Sequence, residues 1–122
     1  QIKQDGCEIY LFEYDKRFAV FGRDFVFYDY NEPLNIPAHI PEKSFDVVFA
    51  DPPFLTEECF TKVAKTVNYL MKDKLIICTG LQVQETIEKL FKAKPCRFIP
   101  QHRSSLMNAF RCYTNYDSKL NL

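Results

Sequence analysis

The stretch that most constrains this chain is 44–54, which reads Ser-Phe-Asp-Val-Val-Phe-Ala-Asp-Pro-Pro-Phe. Val47, Val48, Phe49 and Ala50 form an apolar run without alternation, the pattern of a strand buried on both faces in a parallel sheet. Pro52 and Pro53 cannot donate to a strand ladder, and each fixes its own φ. Pro52 also biases Asp51 away from helical geometry. The strand is therefore expected to stop at Asp51. The chain then leaves it stiffly with a carboxylate, carbonyls free of competing N–H groups, and the ring of Phe54. Open α/β sheets bind ligands at the carboxyl ends of parallel strands, so this exit is the first candidate site.

The remaining elements follow from pattern and punctuation. Ile9–Phe12, Phe25–Tyr28 and Leu75–Cys78 read as further buried strands. Lys16–Phe21 has room for one or two helical turns, closed by Gly22. Pro33, Pro37 and Pro41 exclude a long helix between Asn31 and Lys43. Thr56 is placed to cap a helix, and Glu57 and Glu58 suit the positive end of its dipole. Phe60, Val63, Ala64, Val67 and Leu70 recur at spacings of three and four, which predicts an amphipathic helix over Thr56–Met71 lying on a sheet. Val83, Ile87, Leu90 and Phe91 mark a second such helix, expected to end at Pro95. Cys96–His102 and Asn108–Tyr116 read as an antiparallel edge hairpin around Arg103–Met107. Alternating strands and helices predict an α/β layer structure with a mainly parallel sheet.

Composition narrows the class. A chain of 122 residues suits one domain, and 47% hydrophobic content permits a core. Lys and Arg number 16 and so do Asp and Glu, so net charge gives no push toward nucleic acid or an anionic membrane. No run approaches the length needed to span a bilayer, and no signal peptide is visible. Cys7, Cys59, Cys78, Cys96 and Cys112 are odd in number and widely spaced, so free thiols in a reducing cytoplasm are expected rather than a zinc site or disulfide framework. His39 and His102 have no local metal-ligand companions. The chain opens at Gln1 rather than Met, and it is read as part of a longer protein.

Asp51-Pro52-Pro53-Phe54 resembles the signature of amino-methyltransferases that use S-adenosylmethionine. The resemblance implies that the Asp51 carboxylate and the Pro52 carbonyl accept hydrogen bonds from the target amine, while Phe54 packs against the group that carries it. Acceptors suit the chemistry because they hold the amine's hydrogens and stabilise the cation that develops during transfer. Asp and Pro are also ordinary turn residues. The apolar strand before them and the helix after them favour the site. The whole order of elements looks like the Rossmann-like class I methyltransferase fold without its first strand and the glycine-rich loop after it. The chain carries only Gly6, Gly22 and Gly80 and no Gly-x-Gly segment. Residues 1–122 are thus read as a partial domain of that class.

The same resemblance implies that an acidic residue at the end of the first visible strand holds the donor's ribose hydroxyls, Glu13 being favoured over Asp15. A carboxylate suits a diol because it accepts two hydrogen bonds. Asp29 falls where the family places an acceptor for the adenine amino group, and Tyr28 or Tyr30 would line the same pocket.

The segments Phe-Glu-Tyr-Asp-Lys-Arg-Phe, Phe-Val-Phe-Tyr-Asp-Tyr-Asn, Leu-Ile-Ile-Cys-Thr-Gly and Phe-Arg-Cys-Tyr-Thr-Asn-Tyr-Asp-Ser extend the resemblance from Ile9 to about Ser118. Together with Asp51–Phe54 they are similar to the eukaryotic family first described as N6-adenine methyltransferase-like and now understood as lysine methyltransferases of elongation factor 1-alpha. The family more commonly carries Tyr where this chain has Phe54, a change that keeps the ring. The resemblance implies S-adenosylmethionine as methyl donor, no metal, a protein substrate and a cytoplasmic location. Two other readings are carried beside it: an N6-adenine methyltransferase of DNA or RNA, and a non-catalytic methyltransferase-like scaffold. Lys92, Lys94, Arg97, His102, Arg103 and Arg111 form a modest basic cluster, read as a solvated face or an acidic-partner contact rather than a nucleic-acid groove.

Overall fold

A computed structural model of the chain describes residues 8–17, 24–96 and 110–117. The longest helix, α1 (Glu57–Leu70), forms where the periodicity placed it. The Thr56 hydroxyl accepts from the Cys59 N–H at 3.1 Å, and Glu57 and Glu58 occupy the first turn. These two features satisfy and neutralise the positive helix end. At Met71 the backbone turns extended, and the chain runs directly into a strand.

The strands fall into two sheets. β1 (Leu11–Glu13) pairs in parallel with β2 (Phe25–Phe27), Leu11 opposite Phe25 and Glu13 opposite Phe27. β3 (Phe45–Ala50) pairs in parallel with β4 (Met71–Gly80). On the other side of β4 lies antiparallel β6 (Phe110–Thr114), followed by the short β5 (Lys94–Pro95). The second sheet therefore has the order β3-β4-β6-β5. Helix α2 (Gln84–Phe91) follows β4 through a 3-10 turn at Leu81–Val83.

Helix α1 packs on both sheets. Phe60, Val63 and Val67 join Leu75 and Ile77 of β4, Tyr113 of β6 and Ile87 and Phe91 of α2 in the main core. Leu70 joins Val26 and Ile40 in a second cluster, against which Tyr10, Phe12 and Phe45 pack. The rings of Tyr10 and Phe12 meet Phe45 edge to face, at 5.3 and 6.3 Å between centroids. These contacts tie β1 to β3 although the two strands do not pair. No helix among the described residues is long and apolar enough to cross a membrane.

The structure corrects several expectations. β3 lies at an edge of its sheet rather than inside it, with Val47 47% and Phe49 63% exposed. No described strand pairs its outer side. Instead of one mainly parallel sheet, the described residues form two, with two parallel and two antiparallel pairings. Helix α2 ends at Phe91, three residues before β5, because Lys92 takes a left-handed conformation (φ 55°) and its N–H closes on the Glu88 carbonyl. Pro95 instead sits in β5, an edge strand, where its missing N–H removes no interior ladder bond. The hairpin is present as β5 and β6, but 97–109 lie outside the described residues, as do Gly6, Cys7, Gly22 and most of the Lys16–Phe21 helix.

Phe60 is fully buried at the centre of the core, so Phe60→Ala is expected to destabilise the protein by about 3–5 kcal/mol. Thr56→Ala, which removes only the cap, is expected to cost about 1 kcal/mol. Urea unfolding of both variants checks this. A Phe60→Ala loss no larger than that of Thr56→Ala would contradict the assigned core.

Candidate active site

The two sheets leave a cleft between them of about 320 Å³. One wall is β1 with its exit, including Tyr10, Phe12, Glu13 and Tyr14. The other is β3 with its exit, including Val48, Asp51, Pro52 and Pro53. The floor is α1, through Val63, Thr66, Val67 and Leu70. The cleft exists because β1 and β3 run side by side without pairing, while α1 spans beneath both. It is aromatic and aliphatic at depth and carries the carboxylates of Glu13 and Asp51.

Five of the eight residues singled out in the sequence line this cleft: Glu13, Tyr30, Asp51, Pro52 and Pro53. Asp15, Asp29 and Phe54 do not. Glu13 Oε2 accepts from the Asp15 N–H at 2.9 Å, which fixes the carboxylate at the strand end. Asp15 is held instead by Arg17, whose Nε lies 2.9 Å from Oδ2 and whose N–H lies 2.9 Å from Oδ1. These Arg17 hydrogen bonds lower the Asp15 carboxyl to about 2. Asp29 Oδ1 caps the Asn31 N–H at 2.9 Å in the turn after β2. Phe54 is 54% exposed, and its ring meets Tyr30 edge to face at 5.9 Å.

Two polar connections were not legible in the sequence. Thr66 on α1 donates to the Pro33 carbonyl at 2.7 Å, so the Tyr28 hydroxyl, 2.6 Å away, must donate to Thr66. This bond joins the chain after β2 to the cleft floor, and burial pushes the Tyr28 hydroxyl up. Lys62, one turn earlier, bonds Glu58 Oε2 and Asn31 Oδ1, each at 2.9 Å, and lies 5.7 Å from the centre of the Tyr30 ring. Lys62 falls outside the apolar three-four stripe of α1. A lysine one turn after a glutamate was the available signal for its helix pairing, but nothing marked Asn31 or Tyr30.

Cysteines far apart in sequence meet on the sheet. Cys78 of β4 stands opposite Cys112 of β6. The Cys112 carbonyl accepts from the Cys96 N–H at 2.7 Å and so points away from β4. Cys78 and Cys112 thus form a non-hydrogen-bonded pair, the kind whose side chains approach more closely. Both thiols are free. Burial pushes both up, Cys112 to about 11, and the Asp51 charge adds to the shift at Cys78. No group of three or more potential metal ligands occurs among the described residues.

The family described as Probable N6-adenine methyltransferase matches residues 1–118, and the chain belongs to it. Its relatives carry more particular names. EEF1A lysine methyltransferase 1 of Homo sapiens is 50% identical over 120 residues, covering 98% of this chain and 56% of that protein. The protein of the same name from Danio rerio is 50% identical over 119 residues, covering 98% of this chain and 72% of its own length. Protein-lysine N-methyltransferase EFM5 of Saccharomyces cerevisiae is 42% identical over 125 residues, covering 89% of this chain and 50% of its own. The chain spans about half the length of most of these relatives. No solved structure matches.

With its thiol raised to about 11, Cys112 carries about one thiolate in a thousand at pH 8. Iodoacetamide is expected to label it slowly in the folded protein, at a rate still rising above pH 9, and rapidly in urea. Mass spectrometry showing fast labelling of folded Cys112 at pH 8 would contradict this.

Proposed function

We propose that this chain is the larger part of a class I methyltransferase domain that transfers a methyl group from S-adenosylmethionine to a lysine of elongation factor 1-alpha. The observation that carries the reading is the 50% identity, across 98% of the chain, to proteins named as lysine methyltransferases of that factor. A cytoplasmic location goes with it. Two parallel pairs, β1 with β2 and β3 with β4, on either side of a cleft are compatible with a doubly wound order that lacks its first strand. In this reading a strand and glycine-rich loop outside these residues fill the lower cleft and complete the sheet, and β3 then becomes interior.

The residues present fit the donor. Glu13 offers a carboxylate to a ribose diol, Asp29 an acceptor to an adenine amino group, and Tyr30 an aromatic wall. Asp29 serves here from beside the cleft rather than from its lining, and Asp15, tied to Arg17, takes no part. When bound, S-adenosylmethionine supplies an electrophilic methyl group. Asp51 and the Pro52 carbonyl hold the hydrogens of the incoming amine and aim its lone pair. Pro52 and Pro53 suit this role because neither offers an N–H that would compete for those acceptors.

A lysine amine must lose its proton before it can attack. Bringing a group of pKa ~10.4 to neutrality at pH ~7.4 costs about 4 kcal/mol. Asp51 attracts the cation and opposes that loss, whereas the apolar surfaces of Phe54 and the cleft favour it.

In the complete protein, Asp51→Ala is expected to lower the rate about 10²–10³-fold while changing donor affinity far less. The wild-type rate is expected to climb with pH above neutrality as neutral amine becomes more abundant. Steady-state methylation assays from pH 7 to 9 with donor-binding calorimetry check both. An unchanged Asp51→Ala rate would remove this residue from the chemistry. A flat profile would point to an acceptor that is already neutral, such as an adenine amine.

A further inference from the structure

We propose that Lys62 is a positioning residue for the acceptor side of the site, acting on Phe54 through Tyr30. The inference rests on the methyltransferase reading above and assigns a role to a residue that does not line the cleft.

Lys62 is anchored from three segments. Glu58 holds it along α1, Asn31 holds it from the turn after β2, and the Tyr30 ring lies beneath its ammonium. The hydrogen bond that the Lys62 ammonium donates to Glu58 raises its pKa. Two of its three donors are thereby directed, which fixes the ammonium against the ring instead of leaving it to sample solvent. Tyr30 in turn meets Phe54 with their ring planes 63° apart. The exit of β3 therefore has a lateral support that reaches back to α1, and the route runs through Tyr30.

That support matters because Phe54 follows two prolines. Their fixed φ angles stiffen the backbone of the exit but leave the Phe54 side chain to be set by what it touches. The Tyr30 ring is that contact, and Lys62 holds the far side of the connection. A cation against an aromatic face also orients the ring, since the attraction is strongest above the π surface. Lys62 is absent from the cleft lining. Its loss should therefore be felt through Tyr30, both at Phe54 on the acceptor side and at the donor wall that Tyr30 also forms.

Lys62→Met keeps the length of the side chain and removes its charge. In the complete protein this variant is expected to raise the acceptor KM about two- to fivefold, the range of an exposed cation–π contact. Affinity for S-adenosylmethionine by calorimetry is expected to fall by no more than the acceptor KM rises, since Tyr30 also walls the donor side. Lys62→Arg, which keeps a cation over the ring, is expected to restore the acceptor KM. A loss of donor affinity larger than the rise in acceptor KM, failure of Arg to rescue, or no change in KM would each overturn the proposal.

A second readout needs no acceptor. In protein carrying ¹³C-labelled phenylalanine, the Phe54 ring signal, identified by its loss in Phe54→Leu, should move in Tyr30→Leu and in Lys62→Met. An unmoved signal overturns the positioning role even if the wild-type protein methylates something other than a lysine. Absence of any lysine methylation by the wild type, with the Phe54 signal moving as stated, would overturn the function and leave the positioning role supported.

Discussion

Packing of α1 against two separate sheets is the constraint on which the rest of the structure depends. Its buried stripe is continuous, but its partners change along the helix. Phe60, Val63 and Val67 lie on β4 and α2, whereas Leu70 reaches the cluster under β1 and β2. Thr66, between them, ties down the segment after β2 through Tyr28 and Pro33. Helix α1 thus sets the distance between β1 and β3 and so defines the cleft. Glu13 and Asp51 share that cleft because one helix holds their two strands in a common frame.

Much of this was legible in the sequence. The stop after Ala50 follows from proline chemistry, and the α1 boundaries follow from the Thr56 cap and the three-four spacing. All five predicted apolar positions of α1 are buried. What was not legible depends on pairing. An apolar run reports that a strand suits burial on both faces but not which strand lies beside it. Val47–Ala50 is such a run, and yet Val47 and Phe49 are exposed on an edge. The end of α2 was misread for a related reason. Proline was the strongest local signal, but the left-handed Lys92 acts first, and no residue type announced it.

The candidate site shows the same division. The strand exits at Glu13 and Asp51 could be read directly, and both line one cleft. The residues that hold the exits in place could not, because Arg17, Asn31, Lys62 and Thr66 are ordinary polar residues until the fold brings them to their partners. The cysteines illustrate the point. They are widely spaced in sequence, but Cys78, Cys112 and Cys96 come together through the pairing of β4, β6 and β5. The raised thiols of Cys78 and Cys112 behave as small apolar side chains rather than as reactive groups.

The central claim is that the amine held at Asp51 belongs to a protein lysine. The most direct measurement incubates the complete protein and labelled S-adenosylmethionine with purified elongation factor 1-alpha and total RNA, followed by nuclease or protease digestion. The account predicts label that survives nuclease, is released by protease and maps by mass spectrometry to a lysine side chain of the factor. Label that survives protease and is released by nuclease would contradict it and assign the site to nucleic acid.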